Sequence, residues 1–95
     1  MRFEWDEATS DANLEERGFD FEFASLIFDG LTLEVEDRRK DYGERRMVAI
    51  GVADGLHLTV VYTDRQSASG QVMRRIISAR RSSRHERKIY EKANP

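Results

Sequence analysis

Residues 46–63 read RMVAIGVADGLHLTVVYT, two runs rich in β-branched residues joined by Asp54-Gly55. A type I′ turn needs positive φ at both central residues, and Asp-Gly meets that need. The stretch therefore predicts a β-hairpin with strands Arg46–Ala53 and Leu56–Thr63. Leu56, Leu58 and Val60 share one face of the second strand, which leaves His57 facing solvent. Downstream, Asp64–Gly70 (DRQSASG) predicts a looser turn, followed by a strand from Gln71 to about Arg80. Ser83-Arg84-His85-Glu86 matches the Ser-x-x-Glu capping box and starts a final helix running towards Ala93. Upstream of the hairpin, Asp37–Glu44 is a polar loop. Leu31, Leu33 and Val35 alternate before it with Thr32, Glu34 and Glu36, the pattern of an amphipathic strand. Nearer the N-terminus the period turns helical. Asp20 caps a helix from Phe21 to Phe28 whose Phe21, Ala24, Ile27 and Phe28 face a core, closed by Gly30. Asp6 caps an earlier helix from about Glu7 to Arg17, ended by a left-handed Gly18, with Trp5, Ala8 and Ala12 as a thin apolar stripe.

The resulting order is α-α-β-β-β-β-α in one domain, residues 1–95. Short consecutive connections predict an α+β fold with a four-stranded antiparallel sheet and the helices on one face. The chain has no cysteine, so neither disulfides nor thiolate metal sites supply stability. No stretch reaches the apolar length of a signal peptide or a membrane span, and the expected location is the cytoplasm with no membrane partner.

Charge is distributed unevenly. Met1–Glu44 carries a balance of −9 and Arg45–Pro95 one of +7, within a net charge of −2. Between Arg74 and Lys92, eight of nineteen residues are basic and two acidic. Strict alternation puts Arg74, Ile76, Ser78 and Arg80 on one face of the last strand, and Arg75, Ile77, Ala79 and Arg81 on the other. Arg84, His85, Arg87 and Lys88 continue the positive surface into the helix, whose N-terminus itself favours anions. A phosphate backbone fits such a surface. Pairing with the acidic half of the chain accounts for it equally well. The two histidines, His57 and His85, lack metal-ligand spacing, and no metal or cofactor is expected.

In order and spacing, the residues resemble the BrnT toxins, bacterial ribonucleases of type II toxin–antitoxin pairs whose fold is similar to that of the RelE toxins. The resemblance covers nearly the whole chain. It includes Phe3-Glu4-Trp5-Asp6, Ala12-Asn13-Leu14, Phe21-Glu22, Asp37-Arg38, Tyr42-Gly43-Glu44 and Val60-Val61-Tyr62-Thr63. Its most specific part is Arg75–Arg81 (RIISARR) with Glu86-Arg87 and Tyr90. The chain departs from the family pattern at Thr9, Glu16-Arg17 and Arg45-Arg46, where relatives usually carry lysine, Lys-His and Glu-Arg. The resemblance implies a RelE-like fold and metal-independent cleavage of RNA by its own 2′-hydroxyl. It also implies a BrnA-type antitoxin, with DNA bound only through the antitoxin complex. By position it assigns Arg46, Arg80, Tyr62 and Glu86 as catalytic candidates, and Arg75, Arg81, Arg84, His85, Arg87 and Lys88 as RNA-binding. Of these, Arg46, Arg75, Arg80 and Arg81 would contact phosphate, while Tyr62, Glu86 and His85 would transfer protons or stack on bases. Against these roles, Tyr62 reads equally as a sheet residue with its hydroxyl at the surface. Glu86 reads more simply as the partner in the capping box. A different class of function is a non-catalytic module that binds nucleic acid or antitoxin as a co-repressor.

Overall fold

Local chemistry places most of the elements. The computed structural model describes residues 1–94. The order is β1 (Arg2–Glu4), α1 (Glu7–Arg17), α2 (Phe21–Ala24), a 3₁₀ segment (Ser25–Asp29), β2 (Leu33–Asp37), β3 (Arg46–Ala53), β4 (Leu56–Gln66), β5 (Val72–Arg81) and α3 (Arg84–Ala93). Asp6 caps α1 by accepting from the Thr9 N–H, and Asp20 caps α2 by accepting from the Phe23 N–H. Gly18 ends α1 with φ at 86°. Asp54 and Gly55 take φ of 48° and 79°, as a type I′ turn requires. The Ser83–Glu86 capping box forms in full.

The sheet departs from expectation. It has five strands in the order β1-β5-β4-β3-β2, not four, and it is mixed, because β1 pairs with β5 in parallel. Three residues carry no readable period, and their partner strand lies at the other end of the chain. The second helix also differs. After Ala24 it tightens to 3₁₀, where the Ser25 hydroxyl donates to the Glu22 carbonyl at 2.6 Å.

The core lies on one side of the sheet. Phe19, Phe21, Ala24 and Ile27 pack against Ala49, Leu58, Val60, Tyr62, Ile76 and Ala79. Gly51 lets the 3₁₀ segment approach closely, since a Cβ there would fall 2.9 Å from that of Ile27. The inward residues of α1 are Ser10 and Asn13, whereas Ala8 and Ala12 are exposed. Ser10 Oγ accepts from the Phe21 N–H, and Asn13 Nδ2 donates to the Phe19 carbonyl at 2.9 Å. The helix is thus anchored through polar side chains, a signal that an apolar stripe does not carry.

The helices do not all share a face. His57 meets the Tyr90 ring edge-on, and Tyr90 Oη donates to the Leu31 carbonyl at 2.8 Å. His57 alternates with core-facing Leu58, so α3 packs against the opposite side of the sheet. The imidazole is therefore largely covered, its side chain 19% exposed, rather than facing solvent.

Candidate functional site

A β-bulge fixes which way the arginines point. Val61 pairs with Ser78 but Tyr62 pairs with Ile76, so Ile77 has no opposite residue. The alternation shifts by one residue at that point. Arg74, Ile76, Ala79 and Arg81 face the core side, while Arg75, Ser78 and Arg80 face the α3 side. The buried apolar pair Ile76 and Ala79 thereby reaches the core together, which strict alternation had forbidden.

Register places Arg46 on the α3 side as well. Met47 opposes core-facing Tyr62, so its neighbour Arg46 points the other way, opposite Asp37. Arg46, Arg75 and Arg80 thus share one sheet face. Each is oriented by an acid: Arg46 Nε lies 3.2 Å from Glu44, Arg75 Nη1 3.9 Å from Glu4 and Arg80 Nη1 2.7 Å from Glu86. The last contact is a two-pronged fork, with Nη2 on the other Glu86 oxygen at 2.9 Å. The fork holds the Glu86 carboxyl at about 2, helped by the Ser83 N–H. Glu86 is therefore an anion at any physiological pH and has no proton to donate. The same bond raises the Arg80 pKa, opposed by partial burial and by the charge of nearby Arg39.

Two candidates lie elsewhere. Tyr62 is 4% exposed on the core side, beneath the Arg74 guanidinium at 4.0 Å, with its hydroxyl bonded to Glu34. Burial and that carboxylate push its phenol above the ordinary range. It is neither a surface hydroxyl nor within the Arg80 group. Arg81 points to the core side and lines a hollow with Leu14, Phe19, Phe23 and Leu56. Arg84, His85, Arg87 and Lys88 are exposed along α3, and none forms an ion pair among the described residues. Pairing within the chain therefore accounts for Arg46, Arg74, Arg75 and Arg80 and, among the described residues, leaves Arg81 and the helix cations unmatched. Reading the sequence passed over Arg39, whose loop has no period to place it.

The result is a small α+β domain with acid-oriented arginines on one sheet face and an unmatched cationic helix beside them. Such an arrangement suits a polyanion better than a small apolar ligand. The chain belongs to the family described as ribonuclease toxin, BrnT, of type II toxin–antitoxin systems, whose model matches residues 5–86. Membership implies an RNA substrate and an antitoxin partner. No curated protein matches the chain significantly. No helix among the described residues is long and apolar enough to cross a membrane.

Proposed function

We propose that this chain is an endoribonuclease that cleaves RNA without a metal ion, through attack of a 2′-hydroxyl on the adjacent phosphorus, and that a BrnA-type antitoxin neutralises it. The observation that carries this reading is the Arg80 fork, fixed by Glu86 at the end of β5 on the face shared with Arg46 and Arg75. In the reaction the 2′-oxygen bonds to phosphorus and the bond to the 5′-oxygen breaks. The products end in a 2′,3′-cyclic phosphate and a 5′-hydroxyl. Negative charge builds on the non-bridging oxygens, and fixed cations are what stabilise it. Arg80 supplies that charge, and Glu86 is its positioning residue. Arginine stays protonated and serves poorly as a base. The proton steps fall to His85, exposed in the first turn of α3 beside Glu86, since an imidazole can accept and return a proton. Arg84, Arg87 and Lys88 hold the flanking backbone. An antitoxin that blocks this face must cover α3 too.

The test is incubation of the purified protein with a defined RNA in EDTA beside Arg80→Ala. Fragments with cyclic phosphate ends from the parent alone support the reading. Intact RNA, both free and ribosome-bound, with folded protein overturns it. It would then favour the co-repressor module, for which the unmatched cations of α3 already provide a surface.

A further inference from the structure

The loop after β2 carries a second built group on the rim of the Arg80 face. Asp37 ends β2 opposite Arg46, and its side chain is 2% exposed. Its carboxylate accepts from Arg39 Nε and Nη2, each at 2.9 Å, and from the Arg39 N–H and the Tyr42 hydroxyl, each at 3.2 Å. The Tyr42 ring lies 4.1 Å from the Arg46 guanidinium, which ties the loop to β3. Four donors on one covered carboxylate make a clamp. It fixes one edge of the Arg39 fork and leaves Nη1 outside these contacts, on a side chain that is 78% exposed. Neighbouring acids do not compete for that edge. Glu36 is engaged by Arg38 and Arg45, Glu44 by Arg46 and Arg65, and Asp41 by the Gly43 N–H.

We propose that Arg39, clamped by Asp37 and Tyr42, binds an RNA phosphate next to the one held by Arg80, so that the loop after β2 forms the second wall of the RNA site. This rests on the ribonuclease reading. Asp37, opposite Arg46, holds Arg39 at the edge of the sheet face that Arg80 shares, and guanidinium groups fixed on one face repel until an anion comes between them. A strand carrying a phosphate at every nucleotide relieves that repulsion, and neither clamp need break, because Arg39 Nη1 and Arg80 Nε lie outside their carboxylate contacts.

The experiment measures binding of a fully 2′-O-methylated RNA oligonucleotide, which cannot be cleaved, by fluorescence anisotropy across a salt series. Parent, Arg39→Gln, Arg39→Lys and Arg80→Ala are compared, with a thermal melt of each. Glutamine keeps an amide donor towards Asp37 while removing the charge. Arg39→Gln is expected to weaken binding about tenfold and to lower the salt slope by about 0.7, the loss of one single-strand phosphate contact. Arg39→Lys keeps the slope. Parental affinity and slope in Arg39→Gln, with Arg80→Ala weakened, would sink the proposal and leave the ribonuclease reading standing. An equal fall in slope for Gln and Lys would make Arg39 an anchor of the loop and likewise overturn it. A parent that neither binds nor cleaves RNA removes both.

Discussion

Single side chains distinguish the proposed catalytic roles from structural ones. Tyr62 was a catalytic candidate by position, yet its hydroxyl is spent on Glu34 and its ring on Phe28 and Arg74. Tyr62→Phe is expected to cost about 1 kcal/mol of stability, one buried hydrogen bond, and to leave RNA cleavage at the parental rate. Urea unfolding beside a cleavage time course checks both. A large fall in rate without loss of stability would return Tyr62 to the chemistry. Glu86 has the opposite profile, since its carboxylate orients a cation at the surface. Its folded pKa lies at about 2 against an ordinary 4.5. A depressed carboxyl stabilises the fold fully above its unfolded pKa, and that contribution is lost as pH falls from about 4.5 towards about 2. Glu86→Gln should therefore cost about 1 kcal/mol at neutral pH, allowing for screening of the half-exposed Arg80. Its stability should then fall less steeply than the parent's on acidification. Asp37 titrates in the same window, so the variant flattens the acid limb without abolishing it. Parallel acid limbs for parent and variant would refute the assignment.

At the level of elements, the decisive feature is the close approach of the 3₁₀ segment to β3 over Gly51. Gly51→Ala puts a methyl group 2.9 Å from Ile27 Cβ and 3.2 Å from Thr32 Cγ2, and Ile27 is fully buried. The expected loss is about 1–3 kcal/mol, read as a lower denaturant midpoint with unchanged slope. A neutral result would mean that the segment shifts without cost. What could be read from sequence and what could not divides along this line. Asp6, Asp20, Asp54-Gly55 and Ser83–Glu86 act on backbone within three residues, so their effects are written locally. β1 was missed because its evidence is a pairing with Met73, Arg74 and Arg75. The bulge at Ile77 was missed because alternation assumes no extra residue, and only the core's demand for both Ile76 and Ala79 exposes it. The same bulge decides the site, since it turns Arg80 towards α3 and Arg81 away. The cations were evident as a group, but which of them share a face was not. Asp37 and Arg39 stand two residues apart in a loop, where nothing in the sequence marks a clamp.

Across the whole molecule, the imbalance between the chain's two halves becomes a polarity through the sheet. α1 covers the core side and exposes Glu7, Asp11, Glu15 and Glu16, none in an ion pair among the described residues. α3 covers part of the other side and exposes Arg84, Arg87 and Lys88, likewise unmatched. A polyanion approaching the first side is repelled and one approaching the second attracted, so the field orients the encounter before any base is read. On the proposed ribonuclease reading, the acids of α1 would make that face the less attractive one for RNA. This reading separates the α3 cations from Arg80 experimentally. Replacing Arg84, Arg87 and Lys88 together by alanine should lower the salt slope of RNA binding by about 2, with similar weakening for every sequence tried. Cleavage at saturating RNA should persist, because the Arg80–Glu86 fork and His85 are intact. Arg80→Ala should remove cleavage altogether while lowering the slope by only about 0.7, the loss of its own single phosphate contact. Single-turnover cleavage and salt-dependent binding of both variants would test the division. A triple variant that loses cleavage at saturation while folded would place the helix cations at the scissile phosphate itself, and the sheet face would then be an accessory to α3.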